Sequence, residues 1–263
     1  MSYPKKIVVF DLDETLGNFV ELGIFCDALS AYKKQEIDDN EFFELLDMFP
    51  EFLRPNIISI LKYLLDKKKC DECSKIMIYT NNQGPRTWCE NICKYIDLKT
   101  EDKTFDQIIA AFKVKGKIVE VGRNSHNKSI FDLINCTNLP LDTEICFLDD
   151  QYHPLMKGEK VFYINVKPYI HHIPFNDMAE RYYNKKQLLD EHDKFIEFIT
   201  NYMSRYNFTV KKKEPEDENI DKIISKKIIM YLDEFFKKNK SGQTRRHRRR
   251  KIKNKNTTKR SKS

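Results

Sequence analysis

Two pairs of carboxylates stand where few structural needs explain them. Asp11 and Asp13 follow the short apolar run Lys6–Phe10 (KIVVF), and Asp149-Asp150 close the run EICFL. Carboxylates one residue apart at the end of a buried strand repel each other and are short of water, so a cation or a shared proton is needed to relieve them. A carboxylate in that position can attack phosphorus. A neighbour two residues on can protonate a leaving oxygen and later activate water. By itself, Asp11-x-Asp13 fits an ordinary strand end and turn better than a catalytic pair, and the rest of the chain shifts that balance.

The elements that would position these groups can be read from the pattern. KIVVF reads as a buried parallel strand. Residues 18–50 read as mainly helical, with Asp38-Asp39-Asn40 as a cap ahead of Phe42, Phe43, Leu45, Leu46 and Phe49. After Pro50 and Pro55, the spacing of Ile57, Ile60, Leu61, Leu64 and Leu65 predicts a helix over 56–69. Lys75–Thr80 (KIMIYT) reads as a second strand, with Gly84-Pro85 opening the next helix. Ile108–Phe112 reads as a third strand and 117–121 as a hairpin arm or extra strand. A short helix is expected over 128–135, and further strands over 144–148 and 160–166. Strands alternating with helices, in apolar runs, predict an α/β Rossmann-like domain with a mostly parallel sheet over residues 1–175. Beyond it, one long helix is expected from Asp177 to about Tyr206. A charged linker near 209–219 and a last helix over 220–238 follow, making 176–239 a helical extension.

The motif Asp11-Leu12-Asp13-Glu14-Thr15-Leu16-Gly17 resembles the first motif of the haloacid dehalogenase (HAD) superfamily. Its wording is closest to the C-terminal-domain phosphatases and their NLI-interacting-factor-like relatives. The resemblance spans about residues 5–175 and continues in order. Thr80 with Asn81 matches the second motif, Lys128 the third and Asp149-Asp150 the fourth, while Phe52-Leu53-Arg54-Pro55 is similar to a segment before the family's second strand. It implies Asp11 as nucleophile, Asp13 as general acid and base, and Lys128 as the cation that neutralises aspartate and phosphoryl group. Lys115, Lys117 and Arg123 compete for that last role. It further implies that Thr15 supports the turn and the flap after it, and that Thr80 and the Asn81 N–H bind phosphate. Mg²⁺ is the implied cofactor, held by Asp11, the Asp13 carbonyl and Asp150, with Asp149 at the same site steadying Lys128. The implied activity is Mg²⁺-dependent phosphomonoester hydrolysis through an aspartyl-phosphate, first of all on phosphoserine or phosphothreonine in proteins. The alternatives are a nucleic-acid-end phosphatase, a small-metabolite phosphatase, or a non-enzymatic nucleic-acid binder on the same fold. Asp150 stands where the C-terminal-domain phosphatases commonly have Asn, and residues 18–50 replace a hairpin region. The span between Thr80 and Lys128 holds no large cap, leaving 18–50 as the candidate lid and a phosphorylated macromolecule as the favoured substrate.

The formal charge of +7 over 263 residues averages two unlike parts. Residues 240–263 hold twelve Lys and Arg and no acid; without them 35 basic and 40 acidic residues remain, a net of −5. The tail is expected to be disordered and to serve nuclear import or salt-sensitive contact with RNA or DNA. It lacks aromatic residues, so base stacking by the tail is not indicated. No run of 18 apolar residues occurs, so no membrane contact is expected. Seven Cys with no export signal predict a reduced intracellular compartment, nucleus or cytoplasm, and the protein is expected to be a monomer. Cys70-x-x-Cys73 and Cys89-x-x-x-Cys93 have near-zinc spacing, but a strand intervenes and carries them apart, leaving thiols. His171-His172 reads as a solvated loop pair and Trp88 as packing.

Overall fold

A computed structural model describes residues 5–188, 191–206 and 213–237. The first half runs β1 (Lys6–Phe10), α1 (Val20–Lys33), α2 (Asp39–Met48), α3 (Ile57–Lys69), β2 (Lys75–Tyr79) and α4 (Arg86–Thr100). The second half runs β3 (Gln107–Ile109), β4 (Lys113–Val114), β5 (Lys117–Ile118), α5 (Ile130–Thr137), β6 (Glu144–Asp149), β7 (Val161–Asn165), α6 (Phe175–Lys186), α7 (His192–Ser204) and α8 (Pro215–Lys237). Five strands form one sheet in the order β3-β2-β1-β6-β7, every neighbouring pair parallel. The fold is α/β and compatible with a Rossmann-like architecture.

β1 is buried along its length because helices cover both faces of the sheet. Val8 and Phe10 point into the larger core, with side chains of α1, α3, α4, α6, α7 and α8. Ile7 and Val9 point into a smaller one closed by α5. The chain steps outward from β1 to β3, then returns across the sheet to β6 and β7. That reversal puts the topological switch point at the carboxyl ends of β1 and β6, where such sheets hold ligands.

Residues 18–50 do form two helices, and Asp38 caps α2 by accepting from the Glu41 N–H at 2.8 Å. Their apolar side lies inside the larger core, with α1 against α7 and α2 against α4, so the candidate lid is fixed to the body. The expected helix over 177–206 is instead two. Gln187, with φ of 49°, ends α6, and the chain turns so that Tyr182 and Tyr183 meet the Phe195 ring of α7. The charged segment near 209–219 is partly helix: Pro215 stands in the first turn of α8, followed by Glu216, Asp217 and Glu218. Proline loses nothing there and acids favour a helix start. Ile223, expected on the buried side, is exposed, while Ile228, Leu232, Phe235 and Phe236 are buried. The third strand ends at Ile109, and 113–118 form a separate antiparallel hairpin. No helix among the described residues is long and apolar enough to cross a membrane. The tail, 240–263, lies outside the described residues.

Candidate active site

Register brings the site together. Phe10 pairs with Ile78 on one side and Leu148 on the other, so the next residues, Asp11, Tyr79-Thr80 and Asp149, emerge side by side. After Phe10 the chain makes a tight turn in which the Leu16 N–H bonds to the Leu12 carbonyl at 2.9 Å and the Glu14 N–H to the Gly17 carbonyl at 2.7 Å. A Cβ on Gly17 would sit 2.4 Å from the Phe52 carbonyl oxygen, so this close approach needs glycine. Arg54, 1% exposed, closes the turn: Nε donates to the Thr15 carbonyl at 2.6 Å and Nη2 to the Glu14 carbonyl at 2.7 Å and the Lys167 carbonyl at 2.9 Å.

Lys128 stands just before α5, whose cap Ser129 accepts from the Asp132 N–H at 3.1 Å. Its buried ammonium donates to Asp11 Oδ1 and, at 2.7 Å, to Asp149 Oδ2. Of the four cations considered for this place, the structure puts Lys128 there. Burial pushes the Asp11 carboxyl up to about 7; Lys128 opposes the rise and Asp149 adds to it. Asp149 is held below the usual carboxylate range despite burial, by His153, 3.2 Å from Oδ2, and by Lys128. Burial and Asp149 together raise Asp150.

Asp13 lies beside the cluster. Its Oδ2 accepts from Asn82 Nδ2 at 2.7 Å, while its buried Oδ1 has no hydrogen-bond partner. Burial raises its pKa, with Asn82 and Lys128 opposing. Among the described residues, Asp11 Oδ2 receives no hydrogen bond either. Thr80, 3% exposed, accepts from the Asn82 N–H at 3.0 Å, which leaves its hydroxyl proton uncommitted. Thr15 is turned to Asp150: its Oγ1 lies 3.2 Å from Oδ1 and 3.1 Å from the Asp150 N–H, so it positions that carboxylate.

One oxygen each of Asp11, Asp149 and Asp150 come within 4.8 Å of one another, a set that could hold a metal ion. The Asp13 carboxylate is not part of the set. Three hard oxygens beside a buried, unpartnered oxygen fit a small divalent cation and not a thiophilic one. The cysteines form no comparable group among the described residues: Cys70 is exposed, and Cys73, Cys89 and Cys93 are buried as thiols.

Three contributors escaped the sequence reading, and a fourth was named there in another role. Asn82 holds Asp13, His153 holds Asp149, and Tyr79 offers its hydroxyl oxygen to the Ser129 N–H at 3.2 Å. The fourth, Arg123, was read as a rival to Lys128 but is a clamp. It is 2% exposed, and Nη1 donates to the Thr80 carbonyl at 3.0 Å and the Ala110 carbonyl at 2.8 Å. Nη2 donates to Asn81 Oδ1 at 2.7 Å and the His126 carbonyl at 3.0 Å. The i, i+4 spacing of Asp149 and His153 was the one visible signal. His172, read as solvated, instead bonds the buried carboxylate of Glu21. Trp88 packs edge-on to Phe42 at 5.2 Å.

An apolar cavity of about 330 Å³ between α5 and the β6–β7 edge, lined by Ile134, Leu139, Leu141, Ile145 and Val161, lies toward the other ends of those strands. Glu159 and Lys160 are the ionisable residues in its lining. Comparison with known protein families, with curated proteins and with solved structures found no match.

Proposed function

We propose that this protein is a phosphomonoester hydrolase of the HAD type, working through an aspartyl-phosphate on Asp11 with Mg²⁺ as cofactor. One observation carries the reading. Asp11 and Asp149 share the buried ammonium of Lys128 at the switch point of a parallel sheet, with an Asp150 oxygen within 4.8 Å of both and the unpartnered Oδ1 of Asp13 alongside. A structural role would pair Asp13 Oδ1 and Asp11 Oδ2 as well; leaving these two oxygens open is costly and suits a substrate.

Asp11 Oδ2, the oxygen not held by Lys128, attacks phosphorus. The bond to the ester oxygen breaks, and that oxygen takes the proton carried by Asp13. Burial, which raises the Asp13 pKa, favours the protonated form that this step uses. Asp13, now ionised, accepts a proton from the water that attacks the phosphoryl group. The bond to Asp11 breaks and inorganic phosphate leaves. Thr80 Oγ1 and the Asn81 N–H donate to phosphoryl oxygens, and Lys128 offsets the charge that accumulates. Asp11, Asp150 and the Asp13 carbonyl would hold the cation, whose contribution is to neutralise phosphate charge. With residues 18–50 fixed in the core, a phosphorylated macromolecule is the favoured substrate.

Hydrolysis of an aryl phosphate by wild type and Asp11→Asn, with Mg²⁺ and with chelator, tests the reading. Turnover dependent on both Asp11 and the cation is expected. Equal turnover by Asp11→Asn would remove Asp11 as nucleophile.

A further inference from the structure

The β4–β5 hairpin has no part in the chemistry just described, yet it is tied to the site. Tyr79 pairs with Ile109 across the sheet, so Ala110 runs beside Thr80, about 10 Å and two strand spacings from Asp11. Arg123 holds both carbonyls with one nitrogen, so the hairpin base and the Thr80–Asn81 loop form one unit.

Its chemistry is unlike that of the neighbouring surface. Lys62, Lys68, Lys69, Lys94 and Lys99, on and beside α4, each meet a carboxylate. Lys113, Lys115 and Lys117 meet none among the described residues; Lys113 lies over the Phe112 ring at 5.0 Å. The turn is Lys115-Gly116, with φ of 49° and 79°. Such a turn is made most cheaply by Asn-Gly or Gly-Gly, so lysine stands there against backbone preference. At the hairpin base, half-buried Phe112 meets exposed His126 edge-on at 5.7 Å. This is a positive, ring-bearing arm on a body whose net charge without the tail is negative.

We propose that the hairpin reads a single-stranded nucleic acid whose terminal phosphate enters the site, with backbone phosphates on Lys113, Lys115 and Lys117 and a base against Phe112 and His126. This deepens the phosphatase reading and rests on it for turnover, but not for binding. Phosphates recur along a strand, so every unpaired lysine finds one, and aromatic faces accept any base. A phosphopeptide guarantees one phosphate only. The twelve cations of 240–263 act in the same sense.

The full chain should be tested as wild type and as the triple Lys113→Gln, Lys115→Gln, Lys117→Gln. Substrates are 5′- and 3′-phosphorylated single strands, a mononucleotide, a phosphoserine peptide and an aryl phosphate. Strand binding is measured separately on Asp11→Asn protein across a salt series. Wild type should prefer the strand to the mononucleotide and peptide. The triple variant should lose ~10–100-fold in kcat/KM on the strand alone, keep aryl phosphate turnover, and flatten the log–log salt slope by about 2, at about 0.7 per phosphate contact. A preferred peptide, or an unchanged slope and strand turnover, would overturn the proposal. Failure of the phosphatase reading is distinct: no Asp11-dependent hydrolysis of any ester, with lysine-dependent strand binding intact.

Discussion

Buried cations serve opposite ends in two parts of this molecule. Arg54 and Arg123, each at most 2% exposed, spend most of their hydrogen bonds on backbone carbonyls and fix two loops. Lys128, equally buried, donates its hydrogen bonds to two carboxylates and to no backbone carbonyl among the described residues. Planar guanidinium groups suit several fixed acceptors at once; a point charge on a flexible stem suits a centre where charge changes during reaction. The difference teaches which charges hold the structure and which are held by it. Arg54 and Arg123 donate mainly to neighbouring backbone, with only Arg54 Nη1 and Arg123 Nε left without a partner among the described residues, whereas around Lys128 carboxylates outnumber the cation.

Four outcomes would sharpen or break that contrast. Asp11→Asn should lower kcat by ~10³-fold or more while leaving the fold intact, since it relieves repulsion in the cluster; circular dichroism and aryl phosphate assays read both. Lys128→Met should lose turnover and about 3–5 kcal/mol of stability by leaving Asp149 and Asp11 without their cation, measured by urea unfolding. Arg54→Lys keeps the charge but cannot reach three carbonyls, so about 3 kcal/mol should go while aryl phosphate turnover survives at a reduced level. If Arg54→Lys instead abolished turnover at full stability, the division between holding and held charges would fail.

The fourth concerns pH. The Asp11 carboxyl titrates at about 7 in the folded chain against 3.8 for an ordinary aspartate. It faces Lys128, Asp149 and Asp13, all on neighbouring strand ends or at the start of α5. Between these values the folded state holds a proton that the unfolded state has released, so stability should fall as pH rises through that window. Thermal unfolding in chelator should show that decline, and it should be shallower in Asp11→Asn. Mg²⁺ should add about 3 kcal/mol at a hundredfold excess over its Kd.

Much of the sheet and the ordered set Asp11, Asp13, Thr80, Lys128, Asp149 and Asp150 were legible in the sequence, because buried parallel strands are continuous apolar runs and functional groups cluster at their ends. Thr80 and Lys128 carry no local signal of their own and were found through order along the chain. The break between α6 and α7 was invisible because Gln187 can adopt positive φ without a glycine to announce it. The start of α8 was hidden by a run of charge that reads as linker but suits a helix N-terminus. Arg123 stayed a competitor of Lys128 because nothing in sequence separates a cation facing carbonyls from one facing carboxylates. Only packing decides that.

The covalent step on Asp11 is the centre of the proposed mechanism. Acid-quenching the full chain during turnover of an aryl phosphate with Mg²⁺, followed by peptide mapping, should place a hydroxylamine-sensitive phosphoryl group on Asp11. Asp13→Asn should increase its yield by blocking hydrolysis of the intermediate. Mapping the phosphoryl group to another residue, or sustained turnover by Asp11→Asn, would contradict it.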